Sequence, residues 1–129
     1  MRRPNYSAAF MNNTKWRELL SLIRRIGIQF EVAYVGEERF QTAYAPPESL
    51  LKNTYIADPG LAGGPTEYSD IYSIRIPKIS LIQNPKTGER LPSTGVSDQF
   101  LAEASLLGVL PLEEKDGFIY VHGYSHRDN

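Results

Sequence analysis

A chain of 129 residues that is 41% hydrophobic and 22% charged has the make-up of one globular domain, which argues against a fibrous or wholly disordered architecture. The absence of cysteine removes disulfides, thiolate catalysis and cysteine-based zinc or iron–sulfur sites, and it suits the reducing cytosol. A net charge of −1 hides an uneven spread: residues 1–30 hold six basic side chains against Glu18, whereas the remainder holds 8 basic and 14 acidic ones.

Residues 1–10 lack periodicity and read as a flexible extension ahead of a single domain over residues 11–129, and both Met1 and Met11 fit a start. Arg2 and Arg3 are not followed by the apolar stretch of a signal peptide, and no segment approaches the run of about 18 apolar residues of a membrane helix. A cytoplasmic protein without a membrane partner is expected. From Asn13, the positions of Trp16, Leu19, Leu20, Ile23 and Ile26 trace one helical face, with Asn13 or Thr14 as cap and Gly27 as terminator. Ile28, Phe30, Val32 and Tyr34 then alternate as the inward face of a strand. Gly36-Glu37-Glu38 supplies a turn, Phe40, Thr42 and Tyr44 return, and Pro46-Pro47 stops the ladder before a short helical turn over Glu48 to Lys52.

Asp58, Pro59, Gly60, Gly63, Gly64 and Pro65 predict an irregular loop that runs into Glu67-Tyr68-Ser69-Asp70 and a strand with Tyr72, Ile74 and Ile76 on one face and Ser73 and Arg75 on the other. Pro77 suggests an edge strand or a bulge there. Ile79, Leu81 and Ile82 lead into an Asn84-Pro85-Lys86-Thr87-Gly88 turn, and Arg90 and Leu91 return from it. Ser97 caps a second helix, Asp98 to Leu107, with Phe100, Leu101, Ala104 and Leu107 inward and Gly108 at its end. Val109 to Leu112 supplies a brief pairing. Asp116-Gly117 is a hairpin dipeptide, and in the last strand Ile119 and Val121 face one way and Tyr120, His122 and Tyr124 the other. The expected fold is α+β, an antiparallel sheet of about five to six strands with two helices packed on one face.

Chemistry-bearing motifs are sparse. Leu91-Pro92-Ser93-Thr94-Gly95 spells a sortase pentapeptide but is followed by an amphipathic helix rather than an apolar anchor. Gly60, Gly63 and Gly64 precede Glu67 and Asp70, which repel phosphate. His122 and His126 are the only histidines, and no ligand set surrounds them in sequence, so neither a metal nor a cofactor is expected. The stronger signal is Tyr55, Asp58, Glu67, Tyr68, Asp70 and Tyr72: tyrosines pair a rigid apolar body with a polar tip, and with carboxylates beside them they suit a protein contact surface.

Met11-Asn12-Asn13-Thr14-Lys15-Trp16-Arg17-Glu18-Leu19, Glu67-Tyr68-x-Asp70-Ile71 with Ile74 and Ile76, and Val121-x-Gly123-Tyr124 together resemble a small bacterial domain family of unknown function. The resemblance implies no activity or catalytic residue, and it points to Met11 as the older start. The expectation is a non-catalytic interaction module of immunity or antitoxin type whose partner is another, basic protein. Two alternatives carry different chemistry: a metal- or carboxylate-dependent hydrolase using His122, His126, Asp58 or Glu67, and a nucleic-acid binder using Arg2, Arg3, Arg17, Arg24 and Arg25.

Overall fold

The computed structural model describes residues 10–124 apart from Glu38 and Val109, so most of the expected N-terminal extension, and His126, lie outside the described residues. Helix α1 spans Asn13–Ile26. Its cap is Asn12, one residue earlier than the sequence pattern suggests, because from Asn12 the side-chain oxygen reaches the Lys15 amide at 2.8 Å. Gly27 ends it at φ 83°, donating its N–H to Ile23 O. Trp16, Leu19, Leu20, Leu22 and Ile23 are buried, each contributing about 1.5–3 kcal/mol relative to exposure.

The remaining elements, in chain order, are β1 (Phe30–Tyr34), β2 (Gln41–Ala43), β3 (Tyr55–Ile56), β4 (Thr66–Glu67), β5 (Ile71–Pro77), β6 (Ser80–Gln83), β7 (Arg90–Ser93), α2 (Gly95–Ala104), β8 (Leu112–Lys115) and β9 (Phe118–His122), with single 3₁₀ turns at Glu48–Leu50, Tyr68–Asp70 and Ser105–Leu107. Five strands form an antiparallel sheet in the order β2-β1-β5-β9-β8. Val32 opposes Ile74, which opposes Val121, and Ile76 opposes Ile119. These side chains join Phe30 and the buried faces of α1 and α2 in one core, so both helices cover the same sheet face and the fold is α+β.

Three expectations change. Pro77 does not mark an edge: β5 is the central strand, and its proline is the last paired residue, opposite Phe118, where the ladder ends. Ser97 is not the cap of α2, which begins at Gly95 after Thr94; the Ser97 hydroxyl is buried and donates to Lys78 O at 2.7 Å, tying the helix to the residue that follows β5. The Gly/Pro loop contains a small hairpin, with Tyr55 opposite Glu67 and Ile56 opposite Thr66, and it delivers Ile56 and Leu61 to the core. Among the described residues no helix is long and apolar enough to cross a membrane.

Candidate functional site

The sheet face that no helix covers carries a connected cluster. Strand alternation turns Glu31, Arg75 and Tyr120 outward in one cross-strand row, with Ser73 and His122 in the next. The Arg75 guanidinium carbon lies 4.2 Å from the Phe118 ring centroid and 4.4 Å from that of Phe40, which reaches in from the β2 side. Arg75 Nε donates to Glu31 Oε1 at 2.5 Å, and Nη1 to the Tyr120 hydroxyl at 3.4 Å. Burial opposes charging of Arg75, but its bonds to Tyr120 and Glu31 outweigh that and raise its pKa further, so it is a permanent cation.

Tyr120 extends the cluster in both directions. Its ring meets Phe40 edge-on at 5.7 Å and stacks on the His122 imidazole at 5.5 Å with an 11° interplanar angle. His122 Nε2 contacts Glu113 Oε1 at 2.8 Å, and Nδ1 contacts Ser73 Oγ at 3.2 Å. Serine, imidazole and carboxylate in this order have the composition of a hydrolytic triad. The arrangement is structural, because Ser73 is 0% exposed, beyond the reach of a substrate carbonyl, and its hydroxyl also lies 3.2 Å from Val121 O. The face balances Glu31 and Glu113 against Arg75 and Lys115, and beside it a cleft of about 880 Å³ is lined in part by Glu31, Thr42, Tyr44 and Phe118.

The residues expected to bind a partner separate into two groups. Tyr55, Asp58 and Glu67 are exposed, and Tyr55 and Glu67 sit opposite one another on the β3–β4 hairpin. Tyr68 is a correction: it is 0% exposed, and its hydroxyl donates to Lys52 O at 2.8 Å, so it anchors the loop instead of meeting a partner. Burial pushes its phenol up to about 12, against a smaller opposing effect of Arg17. Asp70 and Tyr72 are half-buried, and the Asp70 carbonyl accepts from Val35 N–H at 2.8 Å.

Of the groups behind the two alternatives, His122, Arg17, Arg24 and Arg25 are engaged with neighbouring residues, and His126, Arg2 and Arg3 lie outside the described residues. His122 is held by Glu113 and Ser73 rather than by Asp58 or Glu67, and among the described residues no three His, Asp or Glu side chains are grouped as metal ligands. Arg17 donates to Asn53, Arg24 to Ala45 O, and Arg25 pairs with Glu103 at 3.0 Å, so these cations serve to fasten α1 to its neighbours. Sequence reading set Arg75 on the face opposite Ile74 and Ile76, and Tyr120 and His122 on the face opposite Ile119 and Val121, but did not join them, because the pairing that does so links residues 45 apart in the chain. Phe40, Phe118, Glu31 and Glu113 carried no signal of their own. Comparison with protein-family models, with curated proteins and with solved structures returns no match.

Proposed function

We propose that this protein is a non-catalytic protein-binding module whose contact surface is the face of the five-stranded sheet turned away from the helices, centred on Arg75 and its aromatic neighbours. The observation that carries the reading is the Phe40–Arg75–Phe118 contact with Tyr120 beside it: aromatic and arginine side chains, fixed by one another on a rigid sheet, are the residue types that dominate protein interfaces. Little rotamer entropy remains to be lost when a partner docks there. The even balance of charge on the face does not favour phosphate. A basic partner, such as a toxin neutralised by an immunity or antitoxin protein, suits the acidic excess of residues 31–129.

The test is capture of a partner from native lysate, its identification, and titration of the purified pair. Tyr120→Ala combined with Phe118→Ser should weaken binding at least tenfold while Tyr55→Ala with Glu67→Ala leaves it within twofold. The reverse pattern transfers the interface to the β3–β4 hairpin and refutes the reading.

A further inference from the structure

The β6–β7 hairpin stands outside both the main sheet and the core. Every residue from Leu81 to Pro92 is exposed, and Ile79, Leu81, Ile82 and Leu91 show 61, 58, 45 and 51% of their surface to solvent. These side chains are divided between the two faces of the ribbon, Ile82 with Leu91 on one and Leu81 on the other, so aliphatic surface meets solvent on both sides of an arm two strands wide. A two-stranded ribbon alone is marginal in water.

Its two edges differ. Asn84 N–H donates to Glu89 O at 2.7 Å, which makes that pair hydrogen-bonded. By alternation Ile82 with Leu91 is also a bonded pair, and the amides of Leu81, Gln83, Arg90 and Pro92 point away from the ribbon. On the β7 edge Pro92 has no N–H to offer and Arg90 is charged, both devices that block strand addition. On the β6 edge, Leu81 and Gln83 present their N–H and C=O groups with no backbone partner among the described residues, and Ser80-Leu81-Ile82-Gln83 holds neither charge nor proline. The free edge of the main sheet at β8, by contrast, reads Leu-Glu-Glu-Lys.

We infer that β6 is a homodimerisation edge, pairing antiparallel with β6 of a second copy about a two-fold axis through Ile82. In that register Leu81 of each copy exchanges two backbone hydrogen bonds with Gln83 of the other, and Leu91, Ile82, Ile82 and Leu91 form one aliphatic row across four strands. An uncharged strand is self-complementary, since no like charges on it meet across the axis. A joint of one four-residue strand from each copy is small beside specific interfaces, which bury about 1,200–2,000 Å², so the dimer dissociates on dilution.

Sedimentation of the full chain from micromolar to millimolar concentration should show a monomer–dimer equilibrium. Leu81→Pro removes only an outward N–H, Ile82→Lys places two cations at the axis, and each should abolish the dimer while circular dichroism and the melting temperature stay unchanged. The chain has no cysteine, so Ile82→Cys should cross-link to its own copy on oxidation, whereas Ser80→Cys, opposite Asn84 of the second copy, should not. A wild-type monomer throughout the range, a dimer surviving either substitution in folded protein, or cross-linking at Ser80→Cys but not at Ile82→Cys would overturn the proposal. Should Leu81→Pro fail to fold, Ile82→Lys and Ile82→Cys carry the decision.

Discussion

The guanidinium carbon of Arg75 sits 4.2 Å from the centre of the Phe118 ring, joining the central strand to β9 by a contact on the side of the sheet turned away from the helices. Arg75 also binds Glu31 and Tyr120, so its planar, delocalised charge meets rings and oxygens together. Lysine keeps the charge but lacks the planar guanidinium that lies against both rings while its edge donates to oxygens. Arg75→Lys should therefore cost about 1–2 kcal/mol, the worth of two partly shielded cation–π contacts, read as a lower urea midpoint at constant m-value. A midpoint equal to wild type would mean that the rings contribute nothing to stability.

Tyr68 separates structure from recognition in the loop it ends. Tyr68→Phe keeps the packing and deletes one hydrogen bond, leaving Lys52 O without its donor, for a loss of about 1 kcal/mol; Tyr68→Ala should cost about 3–5 kcal/mol. Tyr55→Ala, on an exposed side chain, should stay within about 0.5 kcal/mol. Equal losses at Tyr55 and Tyr68 would contradict the difference in burial.

The same phenol gives a pH dependence with a definite sign. Its folded-state pKa is about 12 against an ordinary value of 10.0, so between those values the folded protein holds a proton that the unfolded chain releases. The stabilisation is complete below pH 10 and falls as pH rises toward 12. Urea unfolding across this window should show a steeper decline for wild type than for Tyr68→Phe, and parallel curves would exclude Tyr68 as the source.

Two glycines hold close approaches of backbone. A Cβ on Gly60 would lie 2.0 Å from Gly64 O, at a φ of 66° that side chains rarely adopt, and one on Gly123 would lie 2.5 Å from Ile71 O and 3.2 Å from the Trp16 ring. Gly123→Ala should cost about 1–3 kcal/mol through displacement of β5 or Trp16. Gly60→Ala should cost more, since a left-handed conformation adds about 1–2 kcal/mol for a residue with a Cβ. Thermal melts rank the two, and wild-type stability for Gly123→Ala would show that β5 and Trp16 yield freely.

What the sequence makes visible here follows from range. Periodicity exposes α1, β1, β5 and β9, because Leu19 with Ile23 or Ile74 with Ile76 report their own face within a few residues. The central place of β5 is hidden, since Pro77 carries the same local signal at a strand end as at an edge. The loop misleads for a related reason: Gly60 and Pro65 mark irregular backbone, but only tertiary packing reveals that Ile56, Leu61 and Tyr68 point inward. The Arg75 cluster draws on four strands and the approach to β2, and pairing order is the quantity that a one-dimensional pattern lacks.

The N-terminal cap supplies the most local prediction. Asn12 holds extended dihedrals and accepts from the Lys15 amide, satisfying one of the donors that a helix start leaves open. Asn12→Ala removes that acceptor without disturbing the buried face of α1 and should cost about 1 kcal/mol, whereas Asn12→Asp or Asn12→Ser, which restore a side-chain acceptor oxygen at the cap, should recover most of it. Asn13→Ala should cost less, because position 13 already lies inside the helix. The comparison needs only urea midpoints for the four variants. A larger loss at Asn13 than at Asn12 would place the cap where the sequence pattern alone puts it, one residue further on.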